Sequence, residues 1–184
     1  MRKMMAVVAF GALLIASASP ALAQGRVPAT GAWALGGSAG ATVPAHPNLD
    51  NGFELTGSLE RYFSPRVSVR GQLGAAWWEP TFRSGTLMPM FVTGNAVYNW
   101  EGGAVHPYVT GGVGIYRFHS SIGDRDDTEP GFNVGAGLEY FFNRRAAMTW
   151  ELARHQVGAV DVPLGTFDDG SFWRFAMGAK IYWR

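Results

Sequence analysis

The sequence contains no cysteine, few charged residues and no long apolar run beyond its N-terminus. Without cysteine, the chain has neither a disulfide framework nor a thiolate metal site. Charged residues make up 16% of the 184 residues, and no internal stretch of about 20 apolar residues is available for a transmembrane helix. Glycine, with 25 residues, and aromatic residues, at 14%, are abundant. This composition is typical of a transmembrane β-barrel and less typical of a soluble one.

The N-terminus has the pattern of a secretory signal peptide. Arg2 and Lys3 precede an apolar segment, and Ala21-Leu22-Ala23 is a small-x-small cleavage site. We therefore expect residues 1–23 to be removed and residues 24–184 to form one domain, with an uncleaved anchor helix as the alternative. Because 13 basic and 14 acidic residues remain without Arg2 and Lys3, the domain has no basic surface for nucleic acid.

Eight strand-like segments follow, and most of them alternate apolar and polar side chains. The clearest two are residues 53–63 and 67–77, whose polar faces pair acids with bases across a predicted hairpin. Short connections are predicted at Ser64-Pro65, Glu101-Gly102-Gly103 and Asn143-Arg144, and long ones around 44–50, 80–85, 122–130 and 160–170. An even number of strands, joined by alternating short and long connections, predicts an all-β fold. The expected fold is an eight-stranded antiparallel up-and-down transmembrane β-barrel with short turns and both termini in the periplasm.

Residue size indicates which face of the strands points outward. The interior of an eight-stranded barrel is just wide enough to be filled by side chains, so many large rings fit better outside. The apolar face carries such rings, among them Trp77, Phe142, Trp150, Trp173 and Trp183. The opposite face carries charges for which we predict an ion-pair network in the lumen: Glu60, Arg70, Glu139, Glu151, Arg174 and Lys180. A soluble periplasmic lipid-binding barrel, with its apolar face inward, is the alternative.

The segment from Pro107 to Phe118 is assigned by its aromatic residues. One face carries Tyr108, Thr110, Gly112, Gly114, Tyr116 and Phe118. An aromatic–small–aromatic face suits lipid, with rings at the two headgroup levels. We therefore predict that this face points outward and that the face with Arg117 and His119 points toward the lumen.

Three segments carry a family resemblance: Pro107 to Tyr116 (PYVTGGVGIY), Gly131 to Phe141 (GFNVGAGLEYF) and Pro65 to Gly71 (PRVSVRG). They resemble the outer-membrane protein β-barrel domain family, the small OmpA/OmpX-like eight-stranded barrels of Gram-negative bacteria. The resemblance extends from about Gly31 to Trp183. It implies location in the outer membrane, contact with outer-membrane lipid and lipopolysaccharide, and insertion by the barrel assembly machinery. That machinery reads a terminal aromatic residue, which is here Trp183, one place before the end.

His119 and Ser121 form the pattern closest to a catalytic one. Their His-x-Ser spacing resembles the pair used by lipid A deacylases, which are also eight-stranded barrels. A serine nucleophile needs a base within reach and an orienting acid. The predicted orientation puts His119 in the lumen, away from a lipid substrate. Three more strands follow the pair, whereas in the deacylases it lies close to the C-terminus. We therefore interpret the pair as a polar strand end that enters a loop.

The remaining polar clusters do not indicate a catalytic or metal site. The acidic residues Asp124, Asp126, Asp127 and Glu129 lack the spacing of an EF-hand and predict a solvated external loop. The four histidines show no ligand spacing. We expect no catalytic residue, cofactor or metal. The predicted role is non-enzymatic: a structural one, or interaction with an unidentified partner through the long extracellular loops. A narrow pore for small solutes and a lipid A-modifying hydrolase are the alternatives.

Overall fold

The computed structural model describes residues 28–81, 84–100, 103–121, 126–162 and 165–184. The predicted signal peptide lies outside the described residues. The strands are β1 (Trp33–Pro44), β2 (Gly52–Tyr62), β3 (Val67–Trp77), β4 (Leu87–Asn99), β5 (Val105–Ser120), β6 (Asp127–Asn143), β7 (Ala146–Val157), β8 (Val160–Val162), β9 (Gly165–Phe167) and β10 (Phe172–Trp183). Within the described segments, no helix is both long and apolar enough to cross a membrane.

Eight of these strands form a closed antiparallel barrel in the order β1-β10-β7-β6-β5-β4-β3-β2. The predicted eight-stranded barrel is therefore confirmed. The two short strands, β8 and β9, pair only with each other. This hairpin within the last connection was not predicted, because the sequence around Pro163 and Gly165 has the composition of a turn.

The pairing register shows that the barrel strands are tilted. Trp33 on β1 pairs with Arg61 on β2. Following each residue to its paired residue on the next strand leads around the barrel to Trp173 on β10. The path returns to β1 at Val43, ten residues beyond Trp33. Such a stagger corresponds to a strand tilt of roughly 35–45°. At that tilt, strands of 11 to 17 residues are long enough to cross a hydrocarbon core of about 30 Å.

Short and long connections alternate around the barrel, as predicted. The short ones are residues 63–66, 100–104 and 144–145, and the long ones are residues 45–51, 78–86, 121–126 and 158–171. In outer-membrane barrels, the short turns lie in the periplasm and the long loops outside. We therefore call the two ends of this barrel periplasmic and extracellular.

The outer surface of the barrel is apolar, and the middle of its interior is polar. Val113, Val92 and Leu73 are 69%, 66% and 65% exposed, whereas Glu60 and Arg70 are buried. A soluble barrel has the reverse arrangement. The faces of β2, β3, β6, β7 and β10 agree with the prediction, and the outer surface has the character of a lipid-facing one.

The two faces of β5 are the reverse of those predicted. Its lumen side carries Tyr108, Thr110, Gly112, Gly114, Tyr116 and Phe118, and its outer side carries Val109, Val113 and Ile115. The tyrosines have polar partners inside: the Tyr108 hydroxyl donates to Glu151 at 2.9 Å, and the Tyr116 hydroxyl lies 2.8 Å from Nδ1 of His155. Ring size alone misassigned this strand because a tyrosine joins an apolar ring to a hydroxyl that needs a partner.

Glycines on neighbouring strands make room for these rings inside the barrel. Tyr108 and Gly137 are direct partners on β5 and β6. A Cβ atom on Gly137 would lie 2.4 Å from Cζ of Tyr108, and one on Gly131 would lie 2.8 Å from the ring of Tyr116. The rings therefore lie across positions where any side chain would collide with them.

We expect Gly137→Ala to lower the free energy of unfolding by about 1–3 kcal/mol, the usual cost of overpacking. The added methyl group would lie 2.3 Å from the backbone oxygen of Trp150 as well as against the Tyr108 ring, so both the strand pairing and the bond from Tyr108 to Glu151 would have to shift. Gly94→Ala is the matched control, since nothing lies within 4 Å of a Cβ there, and we expect a change within about 0.5 kcal/mol. Urea unfolding in detergent micelles measures both, and equal midpoints for the two variants would contradict the packing described.

Candidate functional site

The six predicted lumen charges all lie inside the barrel. They come from five strands, on which they occupy alternate, inward-facing positions. Each is nearly inaccessible to solvent: Glu60, Arg70, Glu139, Glu151, Arg174 and Lys180. Buried charges at this density require partners close by, because an isolated one would be costly to desolvate.

Two arginines share the carboxylate of Glu151. Nη1 of Arg70 lies 2.7 Å from Oε2 of Glu151, and Nη1 of Arg174 lies 3.1 Å from Oε1. Each arginine also binds a second acid, since Nε of Arg70 lies 3.0 Å from Glu60 and Nε of Arg174 lies 2.7 Å from Glu54. Both arginines therefore bridge carboxylates on different strands.

Lys180 extends this chain toward the periplasmic end. Its Nζ lies 2.6 Å from Oε2 of Glu60 and also contacts Oε1 of Glu139. The other oxygen of Glu139 accepts a hydrogen bond from the Tyr182 hydroxyl at 2.9 Å, and Ser68 donates to Glu60. Seven charges are linked in one line, which we call the ionic chain: Glu54, Arg174, Glu151, Arg70, Glu60, Lys180 and Glu139.

Glu54 is the member of the ionic chain that the predicted set omitted. Its position on the polar face of β2, in the same alternation as Glu60, was visible in the sequence. Its partner Arg174 is 120 residues away along the chain. The pair forms only because β10 and β2 lie on either side of β1 in the closed barrel.

Apolar clusters close the lumen at both ends of the ionic chain. The outer plug, at the extracellular end, consists of Leu49, Ala76, Trp78, Leu87, Phe91, Tyr116, Phe118, Val157, Val160, Val162 and Phe172. The inner plug, at the periplasmic end, consists of Ala32, Ala34, Tyr62, Phe141, Ala147 and Tyr182. A cavity beside the ionic chain measures about 20 Å³, which is room for about one water molecule.

Trp78 is the centre of the outer plug. Its indole Nε1 donates to Oγ1 of Thr42 at 2.8 Å, and its ring meets that of Phe172 edge-on at 5.2 Å between centroids. Leu49 and Val160 add side chains from two different extracellular loops. The plug therefore joins the barrel wall to the loops above it.

The extracellular loops are bonded to one another in a ring. The bonds are Asp50 N to Glu79 O at 2.8 Å, Thr86 N to Oγ of Ser121 at 2.8 Å, Asp161 N to Oδ2 of Asp127 at 2.7 Å and Ala45 N to Ser171 O at 2.8 Å. Each bond joins one loop to the next, either directly or through the first residue of a strand. We call this bonded surface the loop cap.

Asp126, at the edge of the loop cap, binds the side chains of two residues of β5. His119 Nδ1 lies 2.7 Å from Oδ1 of Asp126, and Arg117 donates to Oδ2 from Nε at 2.9 Å and from Nη2 at 2.5 Å. The bonds from His119 and then Arg117 lower the pKa of the Asp126 carboxyl group below its usual range. The carboxylate therefore stays charged, and bound to its partners, into more acidic solution than an isolated aspartate.

The orientation of this cluster corrects a prediction. Arg117 and His119 were predicted to face the lumen, but their side chains are 61% and 48% exposed on the outside of the barrel. Their orientation follows from the reversed faces of β5. Asp126 itself is ion-paired, whereas the sequence predicted that it was only solvated. Asp124 of the same acidic run lies outside the described residues. In the described part of the chain, no three His, Cys, Asp or Glu side chains are grouped as a metal site.

A family model for the outer membrane protein beta-barrel domain matches residues 6–180 of the chain. No curated protein matches it by sequence. Among solved structures, neisserial surface protein A (NspA) is similar with a TM-score of 0.66 and 14% identity, over 83% of this chain and 97% of that one. OprG from Pseudomonas aeruginosa has a TM-score of 0.66 and 12% identity, over 86% and 99%. The outer membrane enzyme PagL has a TM-score of 0.51 and 15% identity, over 80% and 98%. At these identities the similarity to solved structures establishes the fold alone.

Proposed function

The chain belongs to the outer-membrane protein β-barrel domain family, and from this premise we propose a non-enzymatic role at the cell surface. In this proposal the protein is a closed barrel in the outer membrane, and its extracellular loop cap contacts a partner or the surrounding lipopolysaccharide. The barrel wall satisfies its own backbone hydrogen bonds in lipid. The ionic chain and the two plugs hold the wall rigid under the cap.

The loop cap is the observation that carries the proposal. Loops that are bonded to their neighbours, and anchored by Trp78 and Leu49 in the outer plug, are ordered before any partner arrives. A preordered surface loses less conformational entropy on binding than free loops do. The related NspA is named a surface protein, which agrees with a role for this end of the barrel.

The plugs argue against the alternative of a narrow pore. Apolar side chains fill the lumen at both ends, and between them the charged groups are bonded to each other. Ions that entered would have to displace ion pairs that are already desolvated, which is energetically costly.

Planar-bilayer recording separates the closed barrel from the pore. We expect the refolded protein to insert without steady single-channel steps in concentrated KCl, while a general porin in the same bilayer conducts. Trp78→Gly is the companion variant, since it removes the centre of the outer plug but leaves the inner plug in place, and we expect it to stay closed. Uniform steps from the unaltered protein that scale with salt concentration would overturn the closed-barrel proposal in favour of a pore.

The cluster around His119 favours a second candidate, a hydrolase that acts on an acyl ester of lipid A. Asp126 holds Nδ1 of His119, which leaves Nε2 to act as a general base toward Ser121, as in a Ser-His-Asp triad. Both His119 and Ser121 are exposed at the outer rim of the barrel, where the headgroup of an outer-leaflet lipid would lie. The similar PagL is named an outer membrane enzyme.

Mass spectrometry of lipid A tests this second candidate. If the triad is catalytic, cells that express the full chain lose one acyl chain from lipid A, and Ser121→Ala abolishes that loss. Ser120→Ala is the matched control, because Ser120 is buried in the barrel and its substitution leaves the reaction intact. Identical lipid A in cells with the unaltered chain, the Ser121 variant and an empty vector removes the hydrolase.

A further inference from the structure

Arginines gather at the periplasmic end of the barrel around the end of β10. Arg144 and Arg145 form the turn between β6 and β7, and Arg184 follows β10. The backbone N–H of Tyr182 donates to the carbonyl of Arg145 at 2.8 Å, so the turn and the end of β10 lie side by side. All three arginine side chains are exposed.

A fourth arginine continues this group around the barrel. Trp183 on β10 is the partner of Trp33 on β1, which is in turn the partner of Arg61 on β2. The guanidinium of Arg61 lies 4.8 Å from the centre of the Trp33 ring, and its Nη1 donates to the Gly31 carbonyl at 2.7 Å. We call this surface the basic strip: Arg61, Trp33, Trp183, Arg184, Arg145 and Arg144.

The two rims of the barrel differ in charge. The described residues at the periplasmic end contain no Asp or Glu outside the lumen, and Glu101, between β4 and β5 in the chain, lies outside the described residues. The extracellular end, in contrast, carries acids in all four loops, among them Asp50, Glu79, Asp126 and Asp169. A group of cations with no Asp or Glu side chain beside it in the described residues is suited to an anionic ligand from outside the protein.

The rings of the basic strip indicate its depth in the membrane. Trp183 is 44% exposed on the outer face of the barrel, and tryptophans in such positions lie at the level of the lipid headgroups. The arginines beside it are therefore at the depth of the lipid phosphates. A guanidinium binds phosphate oxygens in bidentate fashion.

We propose that the basic strip binds the phosphate groups of anionic phospholipids in the periplasmic leaflet of the outer membrane. The ligand chemistry is that of phosphatidylglycerol or cardiolipin, whose headgroups carry net negative charge, and not that of zwitterionic phosphatidylethanolamine. Arg61 is held by Trp33 and the Gly31 carbonyl, and Arg144, Arg145 and Arg184 are free to close on the phosphate. This inference concerns the end of the barrel opposite the loop cap and does not rest on the proposed surface role.

Native mass spectrometry of the refolded full chain, titrated with phosphatidylglycerol, cardiolipin or phosphatidylethanolamine, tests the proposal. We expect the anionic lipids to bind at least several-fold more tightly than phosphatidylethanolamine. The triple variant Arg144→Gln, Arg145→Gln, Arg184→Gln should bind them about tenfold or more weakly, since each basic residue near the lipid surface contributes to the attraction. Arg117→Gln at the extracellular rim is the control, and we expect it to retain the binding.

Two results would overturn the proposal. One is that the unaltered chain and the triple variant bind anionic lipid equally, provided that a gel shift on heating shows the triple variant to be folded. The other is sedimentation of the unaltered chain, but not the triple variant, with purified peptidoglycan sacculi while lipid binding stays equal. That result would assign the strip to a cell-wall polymer. If the triple variant does not fold, Arg144→Gln with Arg145→Gln in the exposed turn replaces it, with the same expected direction.

Discussion

Replacing Arg70 with methionine is expected to lower the free energy of unfolding by about 3–5 kcal/mol, the usual cost of removing one partner from a buried ion pair. Arg70 is 2% exposed and binds the carboxylates of Glu60 and Glu151. Methionine is long enough to fill much of the space but cannot donate a hydrogen bond. Two carboxylates in the interior of the barrel would each lose a cation.

Urea unfolding in micelles, followed by the mobility shift of the folded form on unheated gels, measures this loss. Arg144→Met is the matched control, because Arg144 is exposed in a turn and its loss should cost no more than about 0.5 kcal/mol. Adding Glu151→Gln to Arg70→Met should recover part of the loss, with a coupling energy of about 0.5–3 kcal/mol. A loss below about 1 kcal/mol for Arg70→Met would mean that the ionic chain does not stabilise the barrel.

Val113→Arg is expected to destabilise the protein in lipid vesicles by about 2–4 kcal/mol, as for arginine at the midplane of a barrel surface. Val113 is 69% exposed and pairs with Gly94 and Phe132, so its side chain points straight into the hydrocarbon. An arginine there must either lose its hydration or thin the bilayer around it.

The comparison with Val113→Leu isolates the effect of charge. Leucine adds apolar surface on the same face, so we expect its free energy of unfolding to stay within about 0.5 kcal/mol of the unaltered value. Both free energies of unfolding are measured by folding each variant into vesicles of lipids with a defined acyl-chain length and titrating with urea. If Val113→Arg is tolerated as well as Val113→Leu, the outer face of β5 does not face lipid.

The sequence was sufficient to predict most of the fold because an antiparallel barrel repeats a local rule. Each strand alternates between lipid and lumen, and each pair of strands is joined by a connection whose length can be read directly. The hairpin from β2 to β3 shows this, since Glu60 and Arg70 face each other in the register that their alternation predicts. Charged residues are strong markers of the lumen, and all six predicted ones lie there.

The same rule failed on β5 because neither of its faces carries a charge within the membrane. Its one charge, Arg117, lies at the extracellular rim, where Asp126 rather than the lumen supplies its partner. The tyrosine at position 108 is inside because Gly137, on a neighbouring strand, leaves room for its ring and Glu151 accepts a hydrogen bond from its hydroxyl. The two partners lie 29 and 43 residues away in sequence, beyond the reach of a pattern within one strand.

The loop cap and the plugs could not be predicted for a related reason. The cap depends on hydrogen bonds between connections that are distant in sequence, such as that from Asp161 to Asp127. The hairpin of β8 and β9 has no alternation long enough to mark it. The pair of His119 and Asp126 was missed because the orientation of His119 was derived from the misassigned faces of β5.

Single-cysteine spin labelling shows whether this barrel has lipid outside and bonded charges inside. Because the chain has no cysteine, one introduced residue carries the only label. In vesicles, a label on Ile115→Cys should be accessible to oxygen, which dissolves in lipid, and protected from a water-soluble nickel reagent. A label on Thr110→Cys, five residues away and on the lumen side, should be shielded from both. Oxygen access at position 110 together with shielding at position 115 would mean that the lipid-facing and lumen-facing sides of β5 are the reverse of those described.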